Sequence, residues 1–169
     1  MRPAEPPAPP SRRAPVTATL VAAAVLSGLV GGCTRKRFTQ GLTLGGQRIS
    51  AATLNQGHAI FSRFCAACHG ERGDGLGDAA RGTVPPPRNF TLGYFKYTSV
   101  KDGGLPTDDD LFRSGTRGLA GTRMPPWTGA SRADLHAAVQ YLKTFSPRWR
   151  ERTVGELVEL TRDPWAAAD

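Results

Sequence analysis

Cys65, Cys68 and His69 lie within one run of five residues, Cys65-Ala66-Ala67-Cys68-His69. Side chains three apart on a helix share one side, so this spacing turns two thiols toward one place and sets an imidazole beside them. C-x-x-C-H reads as an attachment site for one c-type haem. The thiols add to two vinyl groups of a single porphyrin as thioethers, and the imidazole lies under the iron. A zinc site wants four ligands, and the chain has only one further cysteine, Cys33, in a different context. A redox dithiol of the thioredoxin kind needs a strand–helix setting, which the sequence does not suggest.

The iron's other face has few candidates. Past the initiator, the sequence holds one methionine, Met124, and two other histidines, His58 and His136. Methionine is commonly core filler, but Met124 stands between Arg123 and Pro125 in a loop. A proline there restrains the backbone and suits a fixed ligand. Met124 is therefore the candidate distal ligand, and His58 and His136 read as helix-surface residues. Two filled axial positions leave no open iron for oxygen or peroxide chemistry, which favours outer-sphere electron transfer. A haem enzyme of the peroxidase kind, or a haem-based sensor, would need Met124 to leave the iron.

Three helices must position these residues. Thr53-Leu54-Asn55-Gln56 has the form of a capping box, and Leu54, Gly57, Phe61, Phe64, Cys65 and Cys68 then recur three or four apart, as on one face of a helix. Gly70, Gly73, Gly75 and Gly77 end that helix. Residues 70–106 are rich in glycine and proline and read as a long loop ordered around a large apolar cofactor. Thr107 caps a short second helix with Asp108, Asp109 and Asp110 in its first turn, running to about Ser114. Ser131 and Asp134 open a third, with Leu135, Val139, Leu142 and Phe145 as its stripe and Pro147 as its stop. Residues 154–161 read as a small terminal helix. No strand is evident, so the expected fold class is all-α.

The beginning of the chain reads as an export signal. Arg12 and Arg13 precede an apolar run over 16–30, shorter than the roughly 20 residues of a spanning helix. It closes on Leu29-Val30-Gly31-Gly32-Cys33, which resembles a bacterial lipobox and marks Cys33 for lipidation after cleavage. The expected layout is a signal over 1–32, a lipidated tether over 33–50, a folded domain over 51–147 and a C-terminal extension over 148–169. Several acyl chains together anchor stably, which would place the domain on the outer, periplasmic face of the cytoplasmic membrane. The formal net charge of +8 arises partly from leader arginines, and no nucleic-acid motif accompanies it.

Taken together, Gly57, Phe61, Cys65-Ala66-Ala67-Cys68-His69, Met124-Pro125 and Tyr141 resemble a class I cytochrome c over roughly residues 53–147. The resemblance implies an all-helical fold around one covalent haem c. In it Gly57 allows the first and last helices to cross, Phe61 and Tyr141 pack at that crossing, and Met-Pro marks the distal loop. It also implies that a proline carbonyl, from Pro85, Pro86 or Pro87, orients His69, and that Arg88 and Trp127 are candidates to bond haem propionates. Ala138 is smaller than the family's usual residue at the crossing. A weaker similarity, from Pro87 through Met124-Pro125-Pro126-Trp127, is to lipoprotein cytochromes that accompany respiratory complexes, including the monohaem subunits of alternative complex III. The implied partners are a redox donor and acceptor, with the protein a tethered carrier or a subunit of such a complex.

Overall fold

The computed structural model describes residues 37–159. The chain divides into two units, Met1–Arg35 and Lys36–Asp169, and the described residues belong to the second. The expected export signal over 1–32 and the lipid site Cys33 lie outside the described residues, as does the end of the C-terminal extension from residue 160. Among the described residues no helix is long and apolar enough to cross a membrane.

The unit begins with an antiparallel hairpin, β1 (Leu42–Leu44) and β2 (Gln47–Ile49), in which Leu42 faces Ile49. Gly45 and Gly46 form its two-residue turn with φ of 60° and 82°, a backbone that side chains disfavour and a tight hairpin turn requires. Two expectations are corrected here. Residues 42–49 are not part of a tether, and the domain is not free of strands. Three-residue strands carry too little alternation to be read as such, yet Leu44 is fully buried and Ile49 nearly so. Both pack with Leu54, Leu105, Leu111, Val139 and Trp149, and the Gly45 N–H donates to the Trp149 carbonyl at 2.6 Å.

Helix α1 (Ala51–Phe64) starts at Ser50, whose hydroxyl accepts from the Thr53 N–H at 3.0 Å. Thr53 was the expected cap. The chain leaves β2 extended, so the change to helical backbone falls on the first side-chain oxygen after Ile49. Gln56, expected to reach back to that cap, donates to Asp134 at 2.8 Å instead. After a break at Cys65 comes α2 (Ala66–His69). Helix α3 (Asp108–Arg117) has the expected cap: Thr107 accepts from the Asp110 N–H, and the Asp110 carboxylate accepts from the Thr107 N–H, both at 3.1 Å. It runs past Ser114 to Arg117, ending at Gly118. Helix α4 (Arg132–Leu142) is capped by Ser131, which accepts from the Asp134 N–H at 3.1 Å. The short α5 (Arg148–Glu151) follows a 3₁₀ turn over Lys143–Phe145.

Helices α1 and α4 cross at Gly57. A Cβ there would lie 2.0 Å from the Ala137 carbonyl oxygen and 2.7 Å from the Tyr141 Cβ. Around that contact the Tyr141 ring meets Phe61 edge-on at 5.4 Å and Phe145 at 5.2 Å. The turn after α4 is fixed by a buried polar cluster. Lys143, only 1 % exposed, donates to Asp108 and, at 2.9 Å, to Gln140 Oε1, while Gln140 donates to Asp108 at 2.6 Å. Burial holds the Lys143 ammonium below the usual lysine range, and Asp108 works against that shift. The ammonium also lies 5.2 Å from the centre of the Trp149 ring, a cation–π contact.

Residues 154–161 were expected to be helical. They are extended as far as they are described: Val154 bridges Leu105 and Leu157 bridges Val100. A strand at the end of a chain has no local signature when its partners lie far back in the sequence. Arg148 joins the same region, donating to the Gly93 and Gly103 carbonyls and lying 4.2 Å from the centre of the Tyr94 ring.

Among the described residues Asp110 is the one buried carboxylate, 3 % exposed. Burial would raise its pKa, but the hydrogen bonds from Ser99 and Thr107 outweigh it and hold the carboxyl below the usual range. Ser99 donates twice, from its N–H at 3.0 Å and its hydroxyl at 2.9 Å, and Arg113 donates at 2.7 Å. A depressed carboxylate pKa contributes stability above the unfolded value, about 3.9, and loses it as pH falls through the lower folded value. Asp110→Asn is expected to cost about 1–3 kcal/mol at neutral pH. In urea titrations its deficit against the wild type should narrow below about pH 4; a deficit independent of pH would contradict an ionised Asp110.

Candidate functional site

The motif lies where α1 gives way to α2. The Cys65 N–H still donates to Phe61 at 2.8 Å, and the His69 N–H donates to the Cys65 carbonyl at 2.9 Å, so both cysteines and His69 stay on nearly helical backbone. Gly70 ends the run at φ 75°. The loop then folds back under the motif, with Gly75 donating to the His69 carbonyl at 2.8 Å and Gly77 to Cys68 at 3.2 Å. A Cβ on Gly77 would sit 2.2 Å from the Ala67 carbonyl oxygen, so the return requires glycine. Backbone acceptors freed at the helix end are thereby satisfied.

His69 is 9 % exposed. Its Nδ1 lies 3.0 Å from the Arg88 carbonyl oxygen. A carbonyl only accepts, so Nδ1 carries the proton and Nε2 keeps a free lone pair for a metal. The Phe90 ring stacks on the imidazole at 4.4 Å and 20°. Burial lowers the His69 pKa, with the Arg88 carbonyl opposing. The expected acceptor was the carbonyl of Pro85, Pro86 or Pro87; the structure assigns it to Arg88, the next residue. Every residue carries a carbonyl, so only the register of the loop decides which one arrives. That register is set by Phe90, whose N–H donates to the Gly73 carbonyl at 2.7 Å.

Cys65 and Cys68 are half-buried and form no disulfide. Burial, together with the neighbouring Cys68, pushes the Cys65 thiol up to about 11. Among the described residues no three His, Cys, Asp or Glu side chains gather as a metal site. Two thiols outside any disulfide, beside one imidazole with a free Nε2, fit a porphyrin joined by thioethers and held axially by nitrogen.

Met124 is half-buried in the loop after α3. The loop's backbone is closely tied. The Leu119 N–H donates to the Met124 carbonyl and the Met124 N–H to the Thr122 hydroxyl, both at 3.1 Å. Gly118, at φ 65°, passes so near that a Cβ would lie 2.7 Å from the Met124 carbonyl oxygen. Trp127 donates its N–H to Gly115 at 3.1 Å and packs its ring 5.6 Å from Phe64, the residue before Cys65. The Met-Pro loop and the C-x-x-C-H turn are thus joined through Trp127 and Phe64. The Arg88 side chain is exposed. His58 lies edge-on to Tyr141 at 5.2 Å, and His136 is exposed on α4. Ser99, Arg113 and Arg117, which carry no motif in the sequence, line a cavity beside α3.

Residues 52–142 match the model of a family described as cytochrome c oxidase, cbb3-type, subunit III. A chain of the Kuenenia stuttgartiensis reducing HAO-like protein complex is similar in structure, with a TM-score of 0.61 and 36% identity. That match covers 63% of this chain and 49% of the other, so this chain corresponds to about half of its solved neighbour. Among curated proteins, none matches.

Proposed function

Because the chain belongs to the cytochrome c family described as cbb3-type oxidase subunit III, and so to the c-type cytochromes, we propose that Cys65 and Cys68 hold one haem by thioether bonds, with His69 and Met124 as its axial ligands. The observation that carries this is the His69 hydrogen bond to Arg88, which leaves Nε2 free beside two unpaired thiols. Each thiol would add its S–H across one vinyl group, sulfur to carbon and hydrogen to the neighbouring carbon, with no net electron change.

The bound haem supplies one-electron redox chemistry. The chain's own part is to hold the ligand set still. The Arg88 carbonyl fixes the ring and tautomer of His69, and the Leu119 N–H and Thr122 hydroxyl, with Gly118 packed close, fix Met124. A thioether from methionine raises the potential relative to a second histidine. Phe90 stacks on the His69 ring and meets Phe61 at 6.2 Å, which keeps water from that side of the imidazole.

The protein would then act as a one-electron carrier, not as an enzyme in its own right. The lipobox-like run ending at Cys33 supports a signal cleaved before that residue and a lipid anchor on the periplasmic face of the cytoplasmic membrane. Its partners would be a redox donor and a redox acceptor, met either as a tethered carrier or as a subunit of a respiratory complex. The solved neighbour's place in a protein complex supports the second arrangement.

Intact mass of the membrane-extracted protein tests both attachments together. The expected mass is a chain beginning at Cys33, plus acyl groups, plus one haem. Cys65→Ala or Cys68→Ala should leave one thioether, seen as a shifted α-band in alkaline pyridine. A soluble product lacking Cys33 would reject the anchor, and loss of haem on denaturation in acid would reject the thioethers.

A further inference from the structure

The cavity between α3 and residues 97–99 takes no part in what has been described. It holds about 390 Å³ and is lined by Tyr97, Ser99, Asp110, Arg113, Ser114 and Arg117. It closes on Gly118 and Leu119, the backbone that grips the Met124 carbonyl. Its wall is therefore also the support of the proposed distal ligand.

The charges in the lining do not balance. Asp110 already accepts from Ser99, Thr107 and Arg113. Arg113 is thereby partly neutralised, whereas Arg117, one turn further along α3, has no hydrogen-bond or ion-pair partner among the described residues. Ser114 spends its hydroxyl on the Asp110 carbonyl at 3.0 Å. One guanidinium and the Tyr97 hydroxyl are left to meet an anion. Arginine recognises a carboxylate with two parallel donors. A haem carries two propionate carboxylates on one edge, and Leu119 of the cavity wall donates its N–H to the carbonyl of Met124, the proposed distal ligand.

We propose that this cavity receives a haem propionate, with Arg117 as its ion-pair partner and Tyr97 as a second donor. The proposal rests on the haem reading above. Neither Arg88 nor Trp127, the sequence's candidates for that role, lines the cavity. Arg117 acts through the propionate and is a positioning residue.

The test is the midpoint potential of the full-length holoprotein followed across pH. The titratable and charged groups facing the cavity are Tyr97, Asp110, Arg113 and Arg117. A cation beside a carboxylate lowers its pKa, so Arg117→Gln should move the propionate-linked step up by about one pH unit and lower the potential on its neutral side. Arg117→Lys should restore most of the step. The Met-ligated ferric spectrum should persist in both variants, showing that the fold and axial ligands are intact. A Gln profile that overlays the wild type overturns the proposal. So does a wild-type profile that shifts on adding inorganic phosphate at constant ionic strength, since the cavity would then take a free anion. A wild type without covalent haem overturns the underlying reading as well, so the two failures are distinct.

Discussion

A Met124→Ala variant is expected to keep its haem and lose its closed iron. The thioethers do not depend on Met124, so the haem mass stays. The weak red band that a methionine sulfur gives ferric haem disappears, and the variant binds cyanide or imidazole where the wild type resists them. Its potential should fall by on the order of 0.1 V or more, within the roughly 0.8 V that axial ligands command. The physical reason is the backbone around residue 124. Gly118 and Leu119 hold the Met124 carbonyl and Thr122 holds its N–H, so no neighbour can slide in as a substitute. The same experiment separates the function classes. A wild type that is already high-spin when oxidised at neutral pH would point to peroxidase or sensor chemistry and away from an electron carrier. A variant with an unchanged spectrum would remove Met124 from the ligand set.

The largest expected loss of stability is at Gly57. Glycine costs a helix about 1 kcal/mol relative to alanine, so propensity alone predicts that Gly57→Ala stabilises. The crossing predicts the opposite, because the new Cβ would meet the Ala137 carbonyl at 2.0 Å. That oxygen belongs to backbone and cannot swing aside, so α1 and α4 must separate. Gly57→Val adds two further carbons and should cost about 3 kcal/mol or more. For a domain of this size that lowers Tm by roughly 12–24 °C, read by far-UV circular dichroism on the holoprotein. A Gly57→Ala protein as stable as the wild type would show that the helices do not cross at this point.

Features with a short sequence span were legible. The C-x-x-C-H turn, the Thr107 and Ser131 caps, and the Gly57–Tyr141 pair each announce themselves by residue type at fixed spacing. The Met124 loop was legible for a similar reason, since Pro125 beside the lone methionine marks a constrained backbone. What escaped was set by distant partners or by groups that every residue carries. The acceptor for His69 is a backbone carbonyl, and its owner depends on where Phe90 docks. The hairpin over 42–49 has only Leu42, Leu44 and Ile49 to signal it, and its burial comes from Trp149, a hundred residues on. Arg113 and Arg117 are exposed on α3, and no local pattern announces that Ser99 and Asp110 line the same cavity.

The hairpin's contact with Trp149 also governs the order of assembly. Gly45 and Trp149 join the two ends of the described unit, and Gly57 meets Ala137 and Tyr141 across nearly the same span. Contacts so far apart in sequence are slow to form, because chain entropy must be lost before they give anything back. A chain emerging from its N-terminus presents Cys65 and Cys68 long before α4 brings Tyr141 into the cluster that Cys65 packs against. The topology therefore keeps the two thiols reachable through most of synthesis, and packs Cys65 away only when α4 arrives.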